Sequence, residues 1–322
     1  MNGGASCGAV QFFLQSEAVV AAWVDVLVSR RREVFQVALV RGSALGRRPL
    51  KHWRWNVSAS ETGQVTRTAA EVYDEFFVPA LFQQWARRVV DAAGIRTGQR
   101  VLDVACGTGV LACAAAGHVG SAGSVVGVDV NEGMLTIAQR KAPAIAWKQG
   151  RAEALPVDND SFDVVVSQFG LMFFEDRRAA LQEMLRAVRS GGRLAVAVWD
   201  SLDHTPGYAA MADLLQQLFG DQVAHALRPP FALGDRQILR SLFAEAGVPD
   251  AQITTEPGTA RFPSIQAWVT TEIKGWTLAD VLDDAQFDLL LTNAERVLRQ
   301  FVTAQGTVAF SAPAHIVTAT KP

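Results

Sequence analysis

The sequence predicts an α/β protein whose core is a doubly wound sheet of about seven strands, with an antiparallel strand at the C-terminal edge and a helical lid. Between residues 100 and 199, short β-branched runs alternate with runs of helical periodicity, which is typical of a parallel sheet with helices on both faces. The chain has 322 residues, 49% of them hydrophobic, so it can bury a sizeable core. Later in the chain, two strand patterns accompany helical sequence and predict the edge strand and the lid.

The alternating region accounts for the central strands and their crossover helices. Right-handed crossovers should connect parallel neighbours in such a sheet. A ligand of this architecture lies at the carboxyl ends of the strands, where the strand order reverses. The predicted strands are 100–105, 124–129, 145–149, 162–168 and 193–199, and the predicted helices are 109–117, 132–141 and 177–188.

The flanking regions are mostly helical. Apolar residues recur at helical spacing between residues 66 and 93, and Pro79 predicts a break into two helices. We expect residues 61–322 to form one domain. After Asp200 this domain should carry lid insertions at about 201–234 and 263–305. The elements predicted there are helices over 205–219 and 235–246, a strand over 251–262, helical sequence over 263–305, and a last strand over 307–320.

Residues 1–60 predict an N-terminal extension of unknown role. This stretch holds eight basic and three acidic residues, with Trp53 and Trp55 among them, so a weak nucleic-acid or membrane-surface patch is one interpretation. The favoured interpretation is an extension that takes no part in the chemistry. The apolar run Ala9–Val28 is interrupted by Glu17 and Asp25 and no basic region precedes it, which argues against a membrane span.

Charge and cysteine content narrow the functional classes. Thirty basic against 32 acidic residues give a net charge of −2, so the composition does not favour a nucleic-acid partner. The three cysteines, Cys7, Cys106 and Cys113, lack metal-ligand spacing, which predicts free thiols in a reducing cytoplasm and no metal site.

The run Val101–Gly109, VLDVACGTG, is the centre of the predicted site. Gly107 and Gly109 allow a tight turn against a ligand directly after a buried strand. Asp129 ends the next strand twenty positions after Gly109, where a carboxylate can accept both hydroxyls of a ribose. The glycine turn and this acid together predict a nucleoside site.

Two nucleosides compete for that site. Gly107 to Ala112 satisfies the G-x-G-x-x-A form of the dinucleotide fingerprint, so an NAD-dependent oxidoreductase is one alternative. Asp103 ends the preceding strand close to where a dinucleotide would place its diphosphate. A carboxylate there repels phosphate and attracts ammonium, which favours a ligand that joins adenosine to an amino acid.

Four stretches of the sequence carry a family resemblance. VLDVACGTG, GVDVNEGML, GRAEALPVDNDSFDVVVSQFGLMFF and LRAVRSGGRLAVAVW occur in that order. They resemble the motifs of class I S-adenosylmethionine-dependent methyltransferases, in particular the branch of the ubiquinone and menaquinone C-methyltransferases (methyltransferase type 11). The resemblance covers about residues 66–200. It implies a Rossmann-like sheet, S-adenosylmethionine as cofactor with S-adenosylhomocysteine as product, and methyl transfer. A non-catalytic S-adenosylmethionine-binding protein is the second alternative.

The resemblance also implies roles for individual residues. The glycine loop would surround the methionine end of the cofactor, Asp129 would bind the ribose, and Val130 and Met134 would flank the adenine. Gln168, at the end of the fourth strand, would face the transferable methyl group. The loop residues so assigned are Asp103, Ala105, Gly107, Thr108 and Gly109.

Two positions depart from the family pattern. Arg151, Ala152 and Glu153 follow Gly150 where the family has Gly-Asp-Ala-Glu, whose Asp meets the adenine amino group. Arg cannot accept that hydrogen bond, so the backbone, another acceptor or stacking of the guanidinium has to replace it. Ala105 stands where the family loop has its first glycine, a milder change.

The acceptor and a general base are less clearly marked. Methyl transfer from a sulfonium is an in-line displacement, which needs a base only when the nucleophile starts protonated. The base candidates are His204, Tyr73 and His315. SQFGLMFF after the fourth strand lacks the Asn/Asp-Pro-Pro-Phe/Tyr motif, which argues against DNA N-methylation. We expect a monomer or homodimer that methylates a small, apolar or aromatic acceptor in a cavity lined by the lid-facing aromatics Trp199, Phe231, Trp268 and Trp276.

Overall fold

A computed structural model of the chain describes residues 69–274 and 282–322. Its core is a seven-stranded sheet in the order β3-β2-β1-β4-β5-β9-β6, which confirms the predicted fold class. The first five strands are parallel, and β9 runs antiparallel to both β5 and β6, so β6 lies outside it at the edge. The strands are β1 Arg100–Val104, β2 Ser124–Asp129, β3 Ala146–Gln149, β4 Phe162–Gln168, β5 Val188–Trp199, β6 Gln252–Glu256 and β9 Ala314–Thr320.

The central strand β1 sets the position of the site. Val101, Leu102 and Val104 are fully buried, as expected of a strand with helices on both faces. The strand order reverses beside β1, because β2 pairs with one of its edges and β4 with the other. The carboxyl ends of β1, β2 and β4 therefore meet where this architecture binds its ligands.

Helices cover the sheet, and local capping sets their starts. Asn131, Asp176 and Asp235 each accept a hydrogen bond from a backbone N–H in the first turn of the following helix. The helices are α1 Ala69–Val72, α2 Gln83–Ala93, α3 Val110–Val119, α4 Glu132–Lys141, α5 Arg177–Ala187, α6 Pro206–Phe219, α7 Asp221–His225, α8 Arg236–Ala246, α9 Ile265–Lys274 and α10 Asp284–Val297.

The predicted break at Pro79 is wrong. The chain stays helical from α1 into α2 through a π-helical stretch, Tyr73–Phe82, that contains Pro79. Proline lacks a backbone N–H, and the wider π turn tolerates that loss within a continuous helix. Phe77 and Phe82 are buried on this stretch, so packing against the core outweighs the local preference of proline.

Each of the two stretches predicted as a single late strand forms two strands. Residues 251–262 form β6 and then β7, Thr259–Phe262, while residues 307–320 form β8, Val308–Ser311, and then β9. β7 pairs with β8 in a separate two-stranded sheet. The chain changes sheets at Pro257-Gly258, where a Cβ on Gly258 would lie 2.3 Å from Trp85 Cζ2.

The second sheet packs against helices in an aromatic layer, by which we mean Tyr208, Phe262, Trp268, Phe301 and Phe310. The Trp268 and Phe310 ring centres are 4.6 Å apart, and those of Tyr208 and Phe310 are 5.5 Å apart. This layer buries the side chain of Glu272, to which the Tyr208 hydroxyl donates a hydrogen bond. Tyr208, Trp268, Phe301 and Glu272 belong to the regions predicted as the lid, whereas Phe262 and Phe310 belong to β7 and β8.

Some predictions lie outside the described residues. These are the extension over residues 1–60 and the role of Trp276. The domain bounds therefore stay a prediction. Within the described ranges, no helix combines the length and the apolar character that crossing a membrane requires.

Candidate functional site

A small cavity opens beside the glycine turn, at the carboxyl ends of β1 and β4. We call it the loop cavity. Its volume is about 20 Å³, which is room for roughly one water molecule. It is lined by Tyr73, Phe82, Asp103, Ala105, Cys106, Gly107, Thr108, Val110, Leu111 and Gln168.

Asp103 is the most informative residue of the loop cavity. Its side chain is 1% exposed, and neither carboxyl oxygen has a hydrogen-bond partner in the described part of the chain. Burial raises the pKa of Asp103 well above its usual range; the backbone N–H of Ala112, which is near but makes no hydrogen bond of ordinary geometry, lowers it in part, and the charge of nearby Asp129 raises it further. An unpaired buried carboxyl is costly, so this position suits a ligand that brings a positive charge with hydrogen-bond donors.

Other buried polar atoms without partners lie near the carboxyl ends of β1 and β4. Gln168 donates from Nε2 to the Phe82 carbonyl oxygen at 3.2 Å, which leaves its Oε1 without a partner. The hydroxyls of Thr108 and Ser167 are also buried without partners among the described residues. Such a set of unused polar atoms is expected where a polar ligand completes the hydrogen bonding.

The glycine turn owes its shape to left-handed backbone. Ala105, Gly107 and Gly109 have φ values of 57°, 53° and 86°. Glycine adopts this conformation freely, whereas alanine does so at a cost of about 1 kcal/mol. A Cβ on Gly170 would lie 2.6 Å from Ala105 Cβ, so the loops after β1 and β4 abut at this point.

Asp129 ties the glycine turn to the end of β2. Its Oδ2 accepts the Gly107 N–H at 2.8 Å, and its Oδ1 accepts the Asn131 N–H at 2.9 Å. Burial raises the pKa of Asp129, while these backbone N–H groups lower it in part. A carboxylate has about four acceptor sites, so one on each oxygen remains for the two hydroxyls of a ribose.

Trp147 supports the turn from below, a contact that the sequence analysis missed. Its ring occupies the space where Gly109 and Gly127 have no side chain, since a Cβ on Gly127 would lie 2.4 Å from Trp147 Cζ3 and one on Gly109 would lie 2.6 Å from Cη2. Its Nε1 donates to the Ala142 carbonyl oxygen at 3.0 Å. The sequence feature that could have indicated this contact is Gly127, because glycine is unusual in the interior of a strand and often marks a close approach of another group.

The residues assigned to the adenine do not line the loop cavity. Arg151 makes ion pairs with Glu175, at 2.8 Å, and with Glu153, at 3.5 Å. Ala152 is buried, and the Glu153 carboxylate accepts the Glu175 N–H at 3.0 Å. Val130 and Met134 lie on either side of Asn131, at the start of α4.

Tyr73 covers the glycine turn from the opposite side. Its ring is stacked on Phe82, with the ring centres 5.3 Å apart, and Cε1 lies 4.0 Å from where a Gly107 Cβ would be. Burial raises the pKa of Tyr73, and the carboxylates of Asp129 and Asp74 raise it further. The hydroxyl therefore stays protonated at neutral pH, which suits a hydrogen-bond donor better than a general base.

His204 is not among the residues that line the loop cavity. Its side chain is 66% exposed, and its Nδ1 is 3.0 Å from Asp200 Oδ2, a contact that raises the pKa of His204. His315, the other histidine candidate, is buried and lies 2.9 Å from the Thr255 hydroxyl and 2.8 Å from the Gly234 carbonyl oxygen. Asp200, which contacts both histidines, was not singled out in the sequence.

The expected cavity lined by lid aromatics is wrong as stated. Trp199 is stacked on Phe169, with ring centres 3.8 Å apart, and Trp268 is fully buried in the aromatic layer. Neither of them, nor half-buried Phe231, lines either of the two cavities described. Tyr73 and Phe82 are the aromatic residues beside the loop cavity instead.

The site discriminates between the two nucleosides. A dinucleotide would bring its diphosphate to the glycine turn, next to the buried and unpaired carboxyl of Asp103. Like charges at such short range in a buried site are strongly unfavourable. An ammonium group in the same position would supply the donors that Asp103 and Gln168 lack.

Comparison with known proteins agrees with this distinction. The sequence model of the ubiE/COQ5 methyltransferase family matches residues 62–213. The ubiquinone/menaquinone biosynthesis C-methyltransferase UbiE of Edwardsiella ictaluri is 34% identical over 179 residues, which cover 52% of this chain and 71% of that protein. The demethylmenaquinone methyltransferase of Renibacterium salmoninarum is 44% identical over 115 residues, which cover 36% of this chain and 47% of that protein.

A solved structure supports the fold. Phosphoethanolamine N-methyltransferase 2 of Haemonchus contortus, in complex with phosphomonomethylethanolamine and S-adenosylhomocysteine, superposes with a TM-score of 0.51 at 18% identity. The match covers 81% of this chain and 59% of that one. Together with the family match, these findings show that the chain belongs to the ubiE/COQ5 methyltransferase family and is an enzyme that transfers a methyl group from S-adenosylmethionine to a small molecule.

Proposed function

We propose that this enzyme methylates a ring carbon of a small quinone-type acceptor, in its electron-rich hydroquinone form. The relatives named above support this class of acceptor. The observation that carries the donor side of the proposal is the buried, unpaired carboxyl of Asp103 beside Gln168. Together these residues offer a methionine-type ammonium group three acceptor oxygens at the tips of two adjacent strands.

We propose that S-adenosylmethionine is held by three groups of residues. Asp103 and Gln168 accept hydrogen bonds from its ammonium group, and Asp129 accepts from its ribose. The glycine loop, formed by Ala105, Gly107, Thr108 and Gly109, encloses its amino-acid portion. Val130, Met134, Arg151, Ala152 and Glu153 surround the adenine.

Arg151 needs a different role from the carboxylate that its relatives carry. Its guanidinium donates to Glu175 and is close to Glu153, so its donors are already engaged. We propose that the flat face of the guanidinium stacks on the adenine ring while a backbone oxygen accepts from the adenine amino group. The Arg151→Ala variant should then weaken S-adenosylhomocysteine binding more than the Arg151→Lys variant, which keeps the charge. Calorimetry would compare the affinities of the two variants.

The protein contributes mainly alignment and exclusion of water. When bound, S-adenosylmethionine supplies an electrophilic methyl group on a sulfonium. Because the sulfonium charge is lost on transfer, a close and linear approach of the ring carbon provides most of the acceleration. Tyr73 and Phe82 cover the loop cavity and keep water from it, and Gln168 faces the methyl group.

A ring carbon that gains a methyl group must then lose its proton. We propose that His204 accepts it, with Asp200 receiving the Nδ1–H and so leaving Nε2 free to take a proton. Tyr73 is the weaker candidate because a tyrosine must ionise before it can accept a proton, and burial raises the pKa of Tyr73 further above neutral pH. His204→Gln should lower kcat at least tenfold and remove the acidic limb of the pH profile, whereas an unchanged profile would show that solvent takes the proton.

The acceptor class is tested by turnover. The full chain is incubated with methyl-labelled S-adenosylmethionine and reduced demethylated benzoquinones and naphthoquinones, with simple phenols and lipids as competitors. We expect label on a ring carbon of the hydroquinones only, with the Asp103→Asn variant as the inactive control. Label on oxygen or nitrogen, or turnover with phenols alone, would contradict the quinone assignment.

The location, the oligomeric state and the partners of the enzyme are part of the same proposal. We propose a cytoplasmic monomer or homodimer with no nucleic-acid partner. Light scattering after size-exclusion chromatography measures the oligomeric state, and an assembly larger than a dimer would contradict it.

A further inference from the structure

The stretch Ala69–Phe82, which comprises α1 and the π-helical turn and which we call the roof segment, covers the loop cavity. Tyr73 lies over Gly107, and Tyr73 and Phe82 both line the cavity. The Phe82 carbonyl oxygen accepts the Gln168 side-chain N–H at 3.2 Å. The roof segment is therefore in direct contact with residues that we assign to the methionine end of the cofactor.

The loop cavity as it stands is too small for the amino-acid portion of the cofactor. Its volume is about 20 Å³, which is room for roughly one water molecule. The floor of the cavity is firmly tied, because Cys106 N–H donates to the Val128 carbonyl oxygen and Gly107 N–H to Asp129. The roof segment is π-helical and contains Pro79, which lacks a backbone N–H, so this stretch has one hydrogen-bond donor fewer than an uninterrupted helix. The roof segment is thus the element that has to move when the cofactor enters.

Two ion pairs connect the roof segment to the end of α4. Arg140 lies 3.0 Å from Glu71 and Lys141 lies 2.5 Å from Asp74, measured between nitrogen and oxygen. The Lys141–Asp74 pair is the more shielded of the two, with side-chain exposures of 35% and 24%. Asp74 directly follows Tyr73, so this pair holds the residue that covers the glycine turn. We call the two pairs the roof latch.

We propose that Arg140 and Lys141 are positioning residues that control cofactor exchange: through the roof latch they hold Tyr73 over the glycine turn, and cofactor enters and product leaves when the latch opens. This inference rests on the assignment of the loop cavity to S-adenosylmethionine. It adds residues that touch neither cofactor nor acceptor. The end of α4 suits this role because Trp147 also anchors there, at Ala142, and supports the floor of the cavity.

The latch has a kinetic signature. A latch stabilises the closed roof both with and without cofactor, so its loss should speed binding and release together. Exposed or half-exposed ion pairs contribute about 0.2–1 kcal/mol each, which for two pairs corresponds to a roughly two- to thirtyfold change in each rate constant. The equilibrium constant should change less than either rate. A high salt concentration should raise both rate constants in the same way as removing the two ion pairs, because salt screens exposed pairs.

The experiment measures association and dissociation of S-adenosylhomocysteine by surface plasmon resonance on the immobilised full chain. In the Arg140→Gln, Lys141→Gln double variant we expect both rate constants to rise roughly two- to thirtyfold, with Kd within about twofold of the original. Raising the salt concentration should speed release from the original chain and leave the double variant nearly unchanged. Arg189→Gln is the matched control, because Arg189 pairs with Asp163 at 2.8 Å at the other end of the strands.

Charge reversal separates a latch from a general loss of structure. Arg140→Glu alone should speed release, and adding Glu71→Arg should restore the original rates. Unchanged rates in the double variant would overturn the proposal, as would a weaker Kd with slower association. The assay needs no methyl acceptor, so failure of the latch leaves the quinone assignment standing. Failure of the turnover test leaves the latch standing, while absence of S-adenosylhomocysteine binding to the original chain would overturn both the cofactor site and the latch.

Discussion

Asp103 and Glu272 are both buried acids, and their surroundings differ in one respect. Burial raises the pKa of each, to about 8 for Glu272 and well above the usual range for Asp103. Glu272 receives a hydrogen bond from Tyr208 inside the aromatic layer, whereas both oxygens of Asp103 lack a partner within the described ranges. The Glu272 carboxyl therefore has a hydrogen-bond partner from the protein, while we propose that a ligand provides one for Asp103. This contrast distinguishes a structural acid from a binding acid.

The largest expected effect tests the binding acid. Asp103→Asn should weaken S-adenosylhomocysteine binding roughly a hundredfold, because a charge-assisted hydrogen bond to the ammonium is lost. The melting temperature of the free protein should not fall, since the variant removes an unpaired buried carboxyl. Calorimetry and a thermal melt measure the two quantities. Glu272→Gln is the matched control and should leave the affinity unchanged, while normal affinity in Asp103→Asn would remove the distinction between the two acids.

The release of a proton on ligand binding is a second test of the difference between Asp103 and Glu272. Burial raises the pKa of Asp103 in the free protein, whereas a bound ammonium lowers it by favouring the carboxylate. Binding should therefore release protons, and affinity should rise with pH, by at most about tenfold per unit, over the range in which the carboxyl of the free protein titrates. Titration calorimetry in buffers of different ionisation enthalpy detects the proton. The Asp103→Asn variant should lack this dependence, and proton uptake by the original chain would contradict the assignment.

Glu272 should influence stability rather than binding. Its pKa in the folded protein is about 8, above that in the unfolded chain, so the unfolded chain binds fewer protons between the two values. Stability should therefore fall as pH rises from about 5 to 8 and level off above, by up to about 4 kcal/mol from this residue. Urea unfolding at pH 5.5 and pH 8 should show a smaller pH difference for Glu272→Gln than for the original chain. Equal differences would mean that Glu272 is ionised in the fold.

The floor of the loop cavity offers a packing test. Gly127→Ala places a Cβ against Trp147 and should lower the free energy of unfolding by about 1–2 kcal/mol. S-adenosylhomocysteine affinity should fall as well, because Trp147 supports Gly109. A second change, Trp147→Leu, makes room for the added methyl group and should recover part of the loss. Urea unfolding of the three variants decides the matter, and a fully stable Gly127→Ala variant would show that Trp147 moves freely.

The smallest effect concerns backbone strain at the same loop. Ala105→Gly relieves an unfavourable left-handed backbone but increases the freedom of the unfolded chain. The two effects oppose each other, so the free energy of unfolding should change by less than about 1 kcal/mol. Urea unfolding measures it. A loss of several kcal/mol would show that the Ala105 methyl, which contacts the Gly170 loop, contributes packing that exceeds the strain.

Local patterns predicted the parts of the fold that depend on neighbouring residues. β1, β2, β4 and the helices between them lie within a few residues of their predicted bounds, because each has its own apolar period and capping residue. The π-helical turn at Pro79 was not predictable in this way. Its helical path depends on the burial of Phe77 and Phe82 against distant parts of the chain.

The division of the late strands has a similar cause. The stretches 251–262 and 307–320 read as single strands, yet each contributes to two sheets. Pro257 and Pro313 lie at the changes of sheet, but only the partner strands decide which side of each proline joins which sheet. The predicted aromatic cavity failed for the same reason, since Trp199 and Trp268 pack on rings far away in sequence.

By itself, the sequence determined the doubly wound core, the glycine turn and the two acids, Asp103 and Asp129, that follow neighbouring strands. These features are local, because a strand, its turn and the first residue after it are set within about ten positions. The tertiary structure alone decided that Asp103 is unpaired, that Trp147 lies beneath the turn, and that Arg140 and Lys141 form ion pairs with Glu71 and Asp74 of the roof segment. Those facts depend on contacts between distant residues, and no local pattern encodes which side chains will meet.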